Sequence, residues 1–281
     1  MIANNEMQLK AIIKAMAEKT GITPQAALQM YCLERFLERI SVSKYHKQLI
    51  IKGGFLIASI IGIGHRSTMD IDATVKGFDV SHEMVSAIFK EICRINTNDQ
   101  LDFSFERIED IREKDNYPGI RVFLSAQYGK IITPLTIDLT TGDTIVPAEI
   151  LYSYKCVFDD KTLSVLAYPI ENILAEKLDT IISRGAANTR TRDFYDIHML
   201  YVLKNGEIDF DILKEGLIAT AQKRGTSIFL RNSLQILDSI EKDPVQIDFW
   251  RRFVAQNPYA RGLNFSQVMR SSGELLERTS L

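Results

Sequence analysis

Asp70 and Asp72, one residue apart in MDIDATV, are the side chains whose type and spacing most directly suggest chemistry. On a strand, residues i and i+2 project to the same face about 6.6 Å apart. The two carboxylates therefore stand together, while Met69, Ile71 and Ala73 turn toward the other layer. Two ionised acids on one partly buried face are costly unless a cation pairs with them. A divalent cation meets that need, and hard oxygen donors suit Mg²⁺ or Mn²⁺. Cations held in this way stabilise attacking and leaving oxygens in phosphoryl transfer. The competing reading is an exposed edge strand with two solvated acids.

A glycine pair, Gly53-Gly54, lies between the apolar strand QLIIK and a short apolar helix from Phe55 to about Ile61. Bare Cα atoms there let a phosphate approach backbone N–H groups at a helix N-terminus, and Lys52 adds positive charge. Alone, such a pair is more often a tight turn. Strand, glycine pair, helix, turn and D-x-D strand together form a much narrower combination. A third carboxylate from a neighbouring strand would complete a metal site. TPLTIDLTTGD offers Asp138 within a strand and Asp143 in the turn after it. Asp138 is the better candidate, because TTGD is ordinary turn chemistry.

Cations come from the C-terminal part. In PIENILAEKLDTIISR, Ile170, Ile173, Leu174, Leu178 and Ile181 form an apolar stripe that contains Lys177, and Arg184 follows seven residues later on the same face. A lysine within such a stripe snorkels to water or reaches something acidic. An anionic triphosphate would explain two cations on the inward face. RGAANTRTRDFYDIHML then supplies Arg190, Arg192, Asp193 and Asp196. One reading makes Asp193 a helix N-cap with a capping-box acid after it. The other has the arginines grip phosphate while one aspartate orients a cation or joins the metal site.

These residues must be positioned by a chain of 281 residues, 46% hydrophobic, 25% charged, with a net charge of −2. That is enough for a large core or two lobes, and any nucleic-acid grip must come from a local basic patch. Three separated cysteines, Cys32, Cys93 and Cys156, argue against a disulfide framework or a clustered zinc site. With no leader pattern and no apolar run long enough for a bilayer, the chain reads as a soluble protein of a reducing cytoplasm without membrane association.

Periodicity predicts helices first, with Gly21 ending one and Thr23-Pro24 opening the next, and a helix capped by Ser81. Period-two segments LDFSFERI, GIRVFLSAQY and TPLTIDLTTGD follow, and LSVLAYP is a last strand. After Pro169 every segment is helical, with SIFLRNSLQILDSI a single helix. The expected fold is mixed α/β (α+β), with N-terminal helices before it and a helical lobe after it. The domains are placed at residues 1–160 and 161–281.

KGGFLIASIIGIGHRSTMDID, AEKLDTIISRG and RTRDFYDI, in that order, resemble the AbiEii/AbiGii toxin family of nucleotidyltransferase-like proteins, the toxin halves of abortive-infection and toxin–antitoxin systems, to which MenT toxins are related. The helical opening before Gly53 is similar to the family's N-terminal region. The resemblance implies a polymerase-β-like nucleotidyltransferase fold and a phage-defence toxin that moves a nucleoside monophosphate from an NTP, releasing pyrophosphate. The implied nucleotide is GTP or a pyrimidine nucleotide. The implied acceptor is RNA such as the tRNA 3′ end, and a cognate antitoxin is implied whose direct contact is left open.

Carried over by position, Gly53 and Gly54 match the glycine motif and Asp70 and Asp72 the metal pair; Asp138 stays the third ligand suggested by the strand pattern alone. Lys177 and Arg184 match the second motif, and Arg190, Arg192, Asp193 and Asp196 the third, where the family usually has lysine in place of Arg192. Lys177 would stabilise the triphosphate with help from Arg66, and Asp138 or Asp196 would accept the proton of the attacking hydroxyl. Many nucleotidyltransferases have Gly-Ser where this chain has Gly53-Gly54, and no motif marks the third carboxylate. Two alternatives stay open: a nucleotide- or RNA-binding regulatory module without transfer, and a nucleotidyltransferase acting on protein or a small molecule. Arg251-Arg252 in FWRRF add weight to an RNA partner, but a packed amphipathic helix with solvated arginines is preferred there.

Overall fold

The computed structural model describes residues 3–111 and 119–281, which divide into two compact units. The first comprises residues up to Asp143 together with Ile150–Ala167, and the second comprises Thr144–Glu149 and Tyr168–Leu281. The first unit thus continues past residue 160 to the end of its last strand, and the short segment before that unit's last hairpin belongs to the second.

The first unit opens with α1 (Glu6–Thr20) and α2 (Pro24–Val42). Gly21 closes α1 at φ 74, donating its N–H to Ala17, and the Thr23 hydroxyl accepts from the Ala26 N–H at the start of α2, the expected punctuation for both helices. Then come β1 (Leu49–Lys52), α3 (Gly53–Ile61), β2 (Asp70–Val75), α4 (His82–Cys93, capped by Ser81), β3 (Asp102–Ile111), β4 (Gly119–Tyr128), β5 (Ile131–Thr141), β6 (Ile150–Lys155) and β7 (Thr162–Ala167). They form one seven-stranded sheet in the order β3-β4-β5-β2-β1-β7-β6, with β2 parallel to β5, β1 parallel to β7 and the other pairs antiparallel.

Alternation gives the sheet two unlike faces. Ile71, Ala73, Val122, Leu124, Ile137 and Leu139 are buried on one, the face that carries Phe103 against Phe36 of α2. The other face carries the polar residues of β2, β4 and β5. Met69 departs from the expected alternation: β2 begins at Asp70, and Met69 is 48% exposed. α3 begins at Gly53, two residues earlier than expected. β6 lacks any period-two signature because it is an edge strand on which only Tyr154 is buried.

The second unit contains α5 (Ile170–Arg184), α6 (Thr191–Lys204), α7 (Phe210–Arg224), α8 (Ser227–Leu230), α9 (Ser233–Lys242), α10 (Pro244–Gln256) and α11 (Phe265–Thr279). The expected single helix around residue 230 is two, because the chain turns at Arg231 and Asn232 between α8 and α9. In α10, Trp250 and Phe253 are buried while Arg251 and Arg252 are exposed beside Asp248, the pattern of a packed amphipathic helix.

α2 is anchored through charges that its periodicity hides. Glu34, Arg35, Glu38 and Arg39 are all buried. Arg39 forks onto Asp99 at 2.6 and 2.8 Å and also donates to the Leu101 carbonyl, tying α2 to the chain leading into β3. A buried pair is weak evidence for net stability, but loss of one partner strands the other. Asp99→Ala should therefore destabilise the protein by about 3 kcal/mol in urea denaturation; a loss below about 1 kcal/mol, the value of a surface pair, would refute this role.

Candidate active site

The registers of the sheet place five charged residues side by side on one face. Glu109 of β3 lies opposite Arg121 of β4, Arg121 opposite Asp138 of β5, Asp138 beside Asp72 of β2, and Asp72 opposite Lys52 of β1. Directly paired residues share a face, so the charges run −, +, −, −, + across five strands. Asp70, two residues before Asp72, joins the same face beside Thr136. Asp70, Asp72 and Asp138, the three aspartates expected at a metal site, therefore share one face of two adjacent strands, though their carboxylate oxygens do not all lie within 4.8 Å of one another.

Their partners differ. Asp70 accepts from the buried Thr68 hydroxyl at 2.7 Å. Asp72 accepts from the Gly54 N–H at 3.3 Å, so it lies at the N-terminus of α3, where a negative charge is favoured. Asp138 is buried, and Arg121 forks onto it, Nε and Nη2 each 2.7 Å from a different carboxylate oxygen. Sequence pattern alone did not single out Arg121; only the pairing of β4 with β5 reveals it.

The glycine pair is fitted to Asp72. Gly53 has φ +65, and a Cβ there would lie 2.0 Å from Asp72 Oδ2, so glycine is required both by conformation and by space. A Cβ on Gly54 would lie 2.8 Å from Arg66 Nη2 and 2.9 Å from Thr68 Oγ1. Arg66, buried in the turn before β2, thus brings its guanidinium to the glycine pair. The Gly54 N–H, expected to face phosphate, is donated to Asp72. Lys52, expected to add charge for an anion, is buried and pairs with Asp143 and with the Thr140 hydroxyl. Asp143 also accepts from Thr74 at 2.5 Å and Thr140 at 2.7 Å. It is the counter-ion of Lys52, a larger role than its turn position suggested. Burial pushes its carboxyl up, but Lys52 and the two hydroxyls outweigh this and hold it down at about 2.

In the second unit, the residues of the two later motifs meet. Lys177 Nζ lies 2.5 Å from Asp193 and 2.9 Å from Asp196, and Arg190 lies 3.0 Å from Asp193. Of the two fates open to Lys177, it reaches acids rather than water. Burial alone would lower its pKa, but the two carboxylates raise it, so it remains an ammonium. Asp193 is the third residue of α6, not its N-cap, which is Arg190. Arg184, expected on the inward face, is exposed because it is the last residue of α5, just before Gly185 at φ 55. Arg190 and Arg192 are exposed as well.

Two observations bear on a divalent cation. Among the described residues, the group whose ligand atoms converge within 4.8 Å is Glu34, Cys156 and Asp159. Its carboxylates are already bound by the Arg35 guanidinium, so a cation there would be redundant. Asp70 and Asp72 fit a hard cation better: two carboxylates on one strand face, with a bare glycine Cα against one of them. Burial, then the neighbouring charges of Asp70 and Asp138, push the Asp72 carboxyl up to about 6, against the opposing pull of Lys52 and the Gly54 N–H. Its ionised form is thus the group on this face most in need of positive charge.

The linkage has a definite sign. A carboxyl with a folded pKa of about 6 and an ordinary value of 3.8 binds more protons folded than unfolded, so the metal-free protein loses stability as pH rises through that window. Asp72→Asn removes the ionised group while its amide oxygen can still accept from Gly54. In the absence of divalent cations this variant should be more stable than the parent at pH 8 by roughly 2–3 kcal/mol, with the difference vanishing near pH 4. Melts of both proteins across that range in chelator check this, and a variant less stable at pH 8 would refute it.

With this geometry in place, comparisons with other proteins are informative. Residues 35–271 match the sequence profile of the family described as "Nucleotidyl transferase AbiEii toxin, Type IV TA system". No curated protein matches the chain. Two crystal structures from Helicobacter pylori resemble it at TM-score 0.51 and 13% identity over 92% of the chain: one described as "putative nucleotidyltransferase from H. pylori", covered over 98% of its length, and JHP933, covered over 94%. At that identity the likeness establishes the fold alone, a nucleotidyltransferase fold with a mixed seven-stranded sheet.

Proposed function

The chain belongs to the AbiEii family of nucleotidyltransferase toxins of type IV toxin–antitoxin systems, and on that premise we propose that it transfers a nucleoside monophosphate from an NTP to RNA with the help of Mg²⁺ or Mn²⁺. The observation that carries this reading is the meeting of Asp70, Asp72 and Gly53-Gly54 at one point, with Asp138 next in the row. The family implies a nucleotide substrate and a cognate antitoxin.

In this reading Asp70 and Asp72 hold the cation, which when bound supplies charge neutralisation for the triphosphate. Gly53 and Gly54 leave room for phosphate to approach the backbone, and the Arg66 guanidinium beside Gly54 adds fixed positive charge. Lys177, expected to stabilise the triphosphate, is held charged within its own unit by Asp193 and Asp196. Asp138 is preferred over Asp196 as acceptor of the hydroxyl proton, because it stands next to Asp72 in the row. Catalysis in phosphoryl transfer is mostly positioning and electrostatics, which this arrangement of fixed charges can supply. The tRNA 3′ end is the acceptor favoured by the family resemblance, and GTP or a pyrimidine nucleotide the donor. The engagement of both Asp138 oxygens by Arg121 favours the second reading, nucleotide binding without transfer.

Incubation with each NTP labelled at the α-phosphate, divalent cation and total RNA separates the readings. Label on RNA is expected, and Asp70→Ala should reduce it about 10³-fold, or about 4 kcal/mol of transition-state stabilisation, while the variant still folds and loses toxicity. Label on protein would redirect the acceptor to protein, and nucleotide binding without label would favour the binding module. A folded, fully active Asp70→Ala protein would remove the metal role.

A further inference from the structure

Asp138 presents a conflict that the proposed function leaves unresolved. A carboxylate with both oxygens engaged by a guanidinium fork has fewer lone pairs left for a cation. Yet its register beside Asp72 places it where a third ligand or a base would stand. One of the two partners must move for Asp138 to act, and exposure indicates which. The Asp138 side chain is 8% exposed, whereas that of Arg121 is 39% exposed. Arg121 can turn toward solvent at little desolvation cost; Asp138 cannot.

The neighbouring strand shows that the pairing is selective. Arg121 stands between two acids in register, Glu109 on β3 and Asp138 on β5. Glu109 is taken by Arg107 at 2.9 Å, and Arg107 is in turn packed over the Phe123 ring at 3.6 Å from its centroid. Arg121 is thereby directed to Asp138. On the other side of the acid pair, Lys52 is drawn off to Asp143 and Thr140. Within the row, Arg121 is therefore the cation whose fork is given to Asp138, while Lys52 acts on Asp72 only through its field.

We propose that Arg121 is a positioning residue for the cation site: it holds Asp138 beside Asp72 and yields it when a divalent cation joins Asp70 and Asp72. The exchange replaces one positive partner of Asp138 by another and needs no bond to form or break. It rests on the reading that Asp70 and Asp72 hold a cation. It makes Arg121 a competitor of that cation, so losing the fork must tighten cation binding, the reverse of what loss of a merely structural residue would do.

Titration of the whole protein with Mn²⁺, following free Mn²⁺ by electron paramagnetic resonance, tests this. The wild type should bind Mn²⁺ and Asp72→Asn should not. Arg121→Lys keeps the charge but lacks the fork, and with Arg121→Met it should bind Mn²⁺ about fivefold more tightly, the worth of a half-exposed ion pair. The gain should disappear when Asp138→Asn is added to Arg121→Lys. If binding depends on Asp72 but Arg121→Lys titrates like the wild type, or if its gain survives Asp138→Asn, Arg121 is not the latch while the cation site stands. If the wild type shows no Asp72-dependent binding, the reading beneath fails and this inference with it.

Discussion

Two carboxylates on adjacent strands, Asp72 and Asp138, face the same way, and the first unit is arranged around making that tolerable. Neighbouring strands lie about 4.8 Å apart, so their charges cannot avoid one another. Parallel pairing of β2 with β5 creates the contact, and antiparallel pairing on either side brings Arg121 and Lys52 to flank it. The flanking cations are not equivalent. Lys52 is committed to Asp143 and two threonine hydroxyls surround that acid, so its field reaches Asp72 already partly cancelled. Arg121 is committed wholly to Asp138. Asp72 has one direct hydrogen bond, from the Gly54 N–H at the start of α3, with Lys52 acting on it only at a distance. The face is balanced except at Asp72, the residue proposed to take a cation.

The glycine pair follows from the same constraint. A side chain on Gly53 would occupy the space of the Asp72 carboxylate, so strand β1 can turn into α3 at this point only with glycine. Gly53-Gly54 and Asp72 are thus one feature seen from two strands. Their separation in sequence concealed a direct contact, but their order, strand then helix then strand, was enough to suggest that they serve the same ligand.

Legibility in the sequence tracked how local each cause is. Caps at Thr23, Ser81 and Gly21 depend on neighbouring residues, and they emerged as periodicity suggested. The face shared by Asp70 and Asp72 follows from strand geometry alone. What depends on pairing was invisible. Arg121 lies in an alternating strand like any other arginine until its register with Asp138 is known. Asp143 looked like turn chemistry because Lys52 and Thr74 reach it from distant positions. The acids Glu34 and Glu38 and the arginines that follow each of them, Arg35 and Arg39, sit in a helix whose polar residues look solvated, and only the fold shows them buried. Lys177 was recognised as anomalous in its apolar stripe, but the stripe could not say whether its partner was a ligand or an acid of the next helix.

The two units handle buried charge in opposite ways, and this bears on which charges can respond to a ligand. Lys177 is enclosed by Asp193 and Asp196, and with Arg190 the four charges balance. Within it, withdrawing Lys177 would strand two buried carboxylates in a low-dielectric setting. On the polar face of the sheet in the first unit, the forked pairing of Arg121 with Asp138 has a partner at the edge of solvent. A bound cation gains most where negative charge is under-compensated and least where it is already matched. The asymmetry of pairing on the sheet, more than the presence of aspartates as such, is what singles out the half-buried Asp70 and Asp72.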